Sequence, residues 1–364
     1  MSADLPPAGP PPAGPPRSDA LHRAARLEDR VAAALERGLR RRGWTPRVVP
    51  YTGYGTDGWV RVLARVLLTP PDRHGRVFTP GRGWRRFLSA KPADVRVEVQ
   101  VAGRRHEVTS SRGGYVDTVL PAELPAGWSE VTLAVDGSPP NAAAVRVVGP
   151  DEWLGVVSDV DDTVLITALP RPLLAFWNTF LRHEATRRPV PGMARLYGSL
   201  AAAGPDALVV YLSTGAWNVA PVLERFLERH GFPRGPLLLT DWGPTPQGWF
   251  RSGREHKRNE LARLLRELPQ LRWVLVGDDG QHDPELYDEA VASAPGQVRA
   301  VVIRQLSAVQ QVLTHGTPEP SSEQRWATQR TARSVPVLRA PDGDRLLRAV
   351  KAVGLLRDPG TPRR

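Results

Sequence analysis

The sequence predicts an α/β fold, a parallel sheet with helices on both faces, preceded by a smaller β-rich domain of sandwich type. Two observations predict it. From Gly149-Pro150 onward, apolar runs of strand length alternate with helical patterns, the signature of βαβ units. Between Val60 and Val148 the runs are short and alternating (VRVLARVLL, VRVEVQVAG, HEVTSS, YVDTVLP, VTLAVDG), broken by Pro, Gly and Asn, as in small antiparallel β domains.

Taken in order, residues 1–18 are Pro/Ala/Gly repeats, a composition that cannot form a core and predicts disorder. Residues 19–45 hold a basic amphipathic helix, with Leu27, Val31, Leu35 and Leu39 on one face. Such a helix could lie on an anionic membrane, although packing on its own domain is the commoner outcome. The β-rich domain spans 46–150. Gly53, Gly55 and Gly58 have GxGxxG spacing, but the β-rich WVRVLARVLL follows where a dinucleotide site needs a helix. These glycines are read as a turn. The Arg-rich stretch Arg73–Arg86 is read as a solvated loop.

The α/β domain spans 151–306. Its expected strands are Gly155–Ser158, Leu208–Leu212, Pro236–Leu239, Trp273–Val276 and Val298–Ile303. Helical patterns cover Met193–Ala203, Val219–His230, Asn259–Leu268 and Glu285–Ala294. A C-terminal extension, 307–364, starts helical, passes a linker near Thr317–Ser322 and ends in a short helix around Asp344–Leu356.

Composition bounds the function. The chain of 364 residues has no cysteine, which excludes disulfides, thiolate metal sites and cysteine nucleophiles. The N-terminal stretch has neither the basic start nor the apolar core of a secretory signal, and no run is long enough to span a membrane. A cytoplasmic protein is expected, with peripheral membrane contact open. The net charge of +11 favours anionic partners, but the basic residues are nearly all Arg, as a GC-rich genome would also produce. The lysines are Lys91, Lys257 and Lys351, so each is informative.

The chain is organised around LGVVSDVDDTVL, Leu154 to Leu165. A strand buried on both faces ends in Asp159, Asp161 and Asp162, followed by Thr163. Unpaired carboxylates are too costly to leave in a sheet core, so the strand must deliver them to the sheet mouth, where open α/β folds bind ligands. Alternate residues of an extended segment point the same way, so Asp159 and Asp161 can converge. Two carboxylates held together require a cation or a shared proton. Alone, the DxDxT pattern could be an acidic surface turn. Other strand ends decide the matter: Ser213-Thr214-Gly215 offers hydroxyls and backbone N–H groups suited to phosphate oxygens. Lys257, at the head of a helical pattern, offers a fixed positive charge, and Asp278, Asp279 and Asp283 add acids at the same edge. Mg²⁺ suits such a set of few carboxylates. Trp217 and Tyr287 are read as core packing.

The order Asp159-x-Asp161-x-Thr163, Ser213, Lys257, then Asp278 with Asp283 resembles the haloacid-dehalogenase-like phosphohydrolase superfamily. The stretches SDVDDTV, PGMARLYGSL, YLSTGAWNVAP, GFPRGPLLL, HKRNEL and LVGDDGQHDPELY are similar to the catalytic domain of the actin-patch phosphatidate phosphatase family, over about Trp153 to Arg304. Thr214 and Ala216 depart from that family's second motif, where Asn and Pro are usual. The resemblance implies a Rossmann-like sheet and a Mg²⁺-dependent phosphatase of lipid metabolism converting phosphatidate to diacylglycerol. It implies Asp159 as nucleophile forming an aspartyl-phosphate and Asp161 as general acid and base. Ser213, Thr214 and Lys257 would bind phosphate, and Asp159, Asp161 and Asp278 would bind metal. Thr163, Asp279 and Asp283 would support them. The implied partner is an anionic lipid. The alternatives are a phosphatase on nucleic-acid ends, phosphoproteins or small metabolites, and an anionic-membrane-binding protein with a vestigial phosphatase domain. Nucleic acid is disfavoured because no aromatic-basic interleaving appears; the oligomeric state is left open. The helical stretch with Phe176, Trp177 and Phe180 is too short for a large lid and predicts an open site.

Overall fold

The computed structural model describes residues 34–71, 92–166, 187–204, 206–240, 249–280, 282–307 and 335–356. The Pro/Ala/Gly tail, the first part of the basic helix, the Arg73–Arg86 loop, the Phe176–Phe180 stretch and the Thr317–Ser322 linker lie outside them. Of the basic helix, residues 34–41 are described and helical, and Leu39 packs with Leu68 and Trp44. No helix among the described residues is long and apolar enough to cross a membrane.

The β-rich unit contains β1 (Thr45–Thr56), β2 (Trp59–Thr69), β3 (Arg96–Val101), β4 (Arg104–Thr109), β5 (Tyr115–Pro121), β6 (Gly127–Ala134) and β7 (Asn141–Val148). These pair as one seven-stranded sheet in the order β4-β3-β6-β7-β1-β2-β5. The pairing is antiparallel except between β1 and β7. The seven strands thus form one continuous mixed sheet whose end strands, β4 and β5, lie in contact. The alternation of β3, with Val97, Val99 and Val101 buried and Arg96, Glu98 and Gln100 exposed, shows one face packed and the other wet.

The glycine reading needs correction. Gly53 and Gly55 lie inside β1, and only Gly58 is in the turn to β2. A Cβ at Gly53 would meet the Arg61 carbonyl oxygen at 2.3 Å, and one at Gly55 the Trp59 carbonyl oxygen at 2.1 Å. The glycines permit this close approach of β1 to β2 beside an irregularity between Tyr51 and Tyr54.

The second sheet contains β8 (Leu154–Asp159), β9 (Leu208–Ala216), β10 (Leu237–Thr240), β11 (Arg272–Asp278), β12 (Val298–Arg304) and β13 (Val337–Ala340). It is six-stranded, in the order β10-β9-β8-β11-β12-β13, and parallel throughout. The helices are α1 (Met193–Ala201), α2 (Ala220–Arg229), α3 (Trp249–Glu267), α4 (Asp283–Ser293) and α5 (Gly343–Ala352). The chain steps outward from β8 through β9 to β10, then returns to β11 and steps the other way. Because parallel crossovers are right-handed, α1 and α2 cover one face and α3 and α4 the other; α5 joins α1. The order reverses between β8 and β11, the point where such sheets bind ligands. Part of the C-terminal extension, 335–356, contributes the edge strand β13 and α5 to this domain.

Every residue of β8 is buried, as a strand between two parallel neighbours requires. Its neighbours place Asp159 opposite Leu212 of β9 and Ser158 opposite Val276 of β11. The chain between the two sheets is pinned by a buried pair, Arg146 Nη2 donating to Glu152 Oε2 at 2.8 Å.

Candidate active site

The carboxyl ends of β8, β9 and β11 deliver Asp159, Ser213 and Asp278 to one place. After β8 the chain closes a tight turn, with Val164 N donating to the Val160 carbonyl at 2.9 Å. Asp162 takes a left-handed conformation, φ 57°, and its carbonyl accepts from the buried Arg304 guanidinium. Arg304, at the end of β12, thus braces the acidic turn; no sequence motif marked it.

Lys257 joins the acids. Its ammonium lies 2.6 Å from Asp159 Oδ1 and donates to Asp283 Oδ1 at 2.8 Å. It was expected at the head of a helix, but α3 begins earlier and Lys257 lies within it. The preceding WFRSGREH is too polar to show a helical period, so packing against β9 and β10 decides its structure. Asp283 opens α4, and its other oxygen accepts from Asp278 N at 3.4 Å. Gly277 allows this: a Cβ there would lie 2.6 Å from Asp283 Oδ2.

Ser213 Oγ donates to Asp161 Oδ2 at 3.3 Å and accepts from Gly215 N at 3.0 Å. Thr163 Oγ1 reaches Asp278 Oδ2 at 3.5 Å, while Gly280 N donates to Asp278 Oδ1 at 2.7 Å. Thr214 directs its carbonyl to Thr240 Oγ1 at 2.9 Å. Asp279 does not join the group: its carboxylate accepts from Leu306 N at 2.8 Å and so secures the turn after β11. Tyr287 is core, as expected, with its hydroxyl on the Val276 carbonyl at 2.8 Å. Trp217 is buried too, but its stacking partner is Tyr51 of the β-rich unit, a contact across the chain that no local pattern could show.

Burial dominates the electrostatics. It pushes the Asp159 carboxyl well above the usual range, with Lys257 pulling the other way. Asp278 is raised by burial and then by Asp283 and Asp159. Asp161 is raised by burial to about 7 against the pull of Lys257. Burial works against the Lys257 ammonium, yet Asp159 and Asp283 keep its pKa above that of a free lysine. The acids outnumber the cation that holds them. Asp159 Oδ2 and Asp161 Oδ1 are buried without a hydrogen-bond partner among the described residues.

That excess of hard oxygen donors fits a divalent cation. One oxygen from each of Asp159, Asp278 and Asp283 lies within 4.8 Å of the others. The sequence-derived metal set had Asp161 in place of Asp283. The Asp161 carboxylate itself lies against Ser213.

An acidic, lysine-braced cluster at the switch point of a doubly wound parallel sheet defines the class of this domain, an α/β domain. Residues 154–305 match the family model described as the phosphatidate phosphatase APP1 catalytic domain. It is 26% identical over 152 residues to phosphatidate phosphatase APP1 of Saccharomyces cerevisiae, covering 42% of this chain and 26% of that protein. An uncharacterised protein of Schizosaccharomyces pombe is 24% identical over 152 residues, covering 42% and 25%. The chain thus spans about a quarter of the length of these curated relatives. Among solved structures, a carbohydrate acetylesterase from Xanthomonas citri is 13% identical, covering 85% of this chain and 67% of that one, at a TM-score of 0.25.

Proposed function

We propose that the protein is a Mg²⁺-dependent phosphatase of the haloacid-dehalogenase-like type that hydrolyses a phosphomonoester, phosphatidate to diacylglycerol, through an aspartyl-phosphate. The observation that carries this reading is the placement of Lys257 between Asp159 and Asp283, beside an Asp161 held by Ser213. The Asp159 carboxylate attacks phosphorus in line, and the bond to the leaving oxygen breaks. Asp161 gives that oxygen its proton; burial places its pKa near 7, suited to proton exchange at neutral pH. Water then attacks the aspartyl-phosphate, Asp161 takes the water's proton, and inorganic phosphate leaves with Asp159 regenerated. Ser213 and Lys257 hold the equatorial oxygens. Asp159, Asp278 and Asp283 would hold the cation, which when bound supplies positive charge against the transferring group.

The family match supports phosphatidate as substrate, since the yeast relative carries that name. The basic balance of the chain, +11, supports a protein that meets anionic lipid at a cytoplasmic membrane surface. The test is Mg²⁺-dependent phosphate release from phosphatidate in mixed micelles beside soluble phosphomonoesters, with Asp159→Asn as control. Release from phosphatidate that vanishes in the variant supports the proposal. Release from soluble esters alone removes the lipid from it, and full activity in Asp159→Asn removes the covalent step.

A further inference from the structure

Two of the contacts between the β-rich unit and the parallel-sheet domain are tied to elements that carry site residues. At the first, Tyr51 of β1 stacks on Trp217, with ring centroids 4.4 Å apart and planes inclined by 28°. Its hydroxyl donates to the Trp217 carbonyl at 3.4 Å. Trp217 directly follows β9, whose end holds Ser213 against Asp161. At the second, the Tyr54 hydroxyl donates to Glu267 Oε2 at 2.8 Å, and Arg61 grips both oxygens of the same carboxylate. One turn earlier on α3, Arg263 Nη1 donates to Asp117 Oδ2 of β5 at 2.8 Å. Glu267 and Arg263 share α3 with Lys257.

The packing agrees with the bonding. Tyr51, Tyr54, Leu63 and Val148 belong to the hydrophobic core of the parallel-sheet domain, while the rest of the β-rich unit's core is separate. Tyr51 and Trp217 also border a cavity of about 180 Å³, so truncating Tyr51 would enlarge open space and leave the indole without a facing ring.

We propose that the β-rich unit is a positioning element of the active site: Tyr51 holds the turn that presents Ser213, and the Tyr54–Arg61–Asp117 set holds the helix that presents Lys257. The inference rests on the phosphatase reading above for its catalytic consequence. Small displacements of groups that grip a phosphoryl unit cost rate steeply, because the reacting atoms leave their in-line arrangement. Tyr51 reaches the site through Trp217, which directly follows β9.

The test uses the full chain with Tyr51→Leu, Tyr51→Met and Tyr51→Phe, reading kcat and KM for a soluble phosphomonoester together with amide hydrogen exchange over residues 213–219. The Leu and Met variants are expected to lower kcat about 10-fold at nearly constant KM and to speed exchange over that turn. Tyr51→Phe, which keeps the stack, should restore both to within about twofold. Two non-aromatic variants guard against one that fails to fold. Wild-type kcat and exchange in either folded one would overturn the proposal. A wild type that releases phosphate from no ester would instead end the phosphatase reading, and the exchange measurement would still decide whether Tyr51 holds the turn.

Discussion

Lys257 Nζ lies 2.6 Å from Asp159 Oδ1, at the end of the central strand β8. Both side chains are buried, and under the proposed mechanism a phosphate would approach this pair. Replacing the lysine by Met keeps the length of the side chain and removes the charge. The expected result is a fall in kcat of about 10²-fold or more, the scale seen when one preorganised group facing a developing anion is lost. Steady-state kinetics on a soluble phosphomonoester checks it; a wild-type kcat in Lys257→Met would remove the lysine from catalysis.

The surplus of buried carboxylate over ammonium predicts that Mg²⁺ stabilises the fold. Asp159 and Asp278 carry pKa values pushed well up by burial, and a cation that relieves them binds the native state alone. At a concentration about 100 times its Kd, such a ligand adds about 2.7 kcal/mol. The thermal midpoint should rise with Mg²⁺ in the wild type and much less in Asp278→Asn. Equal shifts in both would place the cation elsewhere.

Gly277 tests how tightly the site is assembled. A Cβ there would lie 2.6 Å from Asp283 Oδ2 and 2.8 Å from Asp283 Cβ. Gly277→Ala should therefore push Asp283 away from Lys257 and cost about 1–3 kcal/mol of stability as overpacking does. Activity should fall further than Asp283→Asn alone would lower it, because the lysine is displaced as well as unpaired. Denaturant midpoints and kcat, measured together, separate the two effects.

The parts of this site that could be read from sequence are those whose signal is local. A buried apolar strand that breaks into Asp159 and Asp161 announces itself, because no sheet core accepts those acids unpaired. The same holds for Ser213 and Asp278 at their strand ends. What could not be read depends on tertiary contact. Asp283 was placed at the same edge from sequence, but its closeness to both Asp159 and Asp278 depends on α4 starting immediately over Gly277. Lys257 is helical because α3 packs on the sheet, although its first residues show no period. Gly53 and Gly55 looked like turn glycines, since the close approach of β2 that requires them lies across the hairpin. Tyr51 and Trp217 are separated by most of the domain boundary, and nothing near either residue points to the other.

Glu224 on α2 lines a cleft of about 560 Å³ with Tyr51, Ala143 and Arg234, where α2 faces the β-rich unit. Burial pushes its carboxyl up from 4.5 to about 7, with Arg234 and Arg225 pulling the other way. The folded chain therefore holds this proton more tightly than the unfolded chain. The resulting stability is fully present below pH 4.5 and is lost as pH rises through about 7. Above that point the folded protein carries a charge that its surroundings disfavour. Glu224→Gln, which is neutral throughout, should then be more stable than the wild type at pH 8, by about 1 kcal/mol given the side chain's partial exposure to the cleft. At pH 4.5 the two should be nearly equal. Denaturant unfolding at both pH values checks the sign: a difference that is the same at each would show that Glu224 keeps an ordinary carboxylate pKa in the fold.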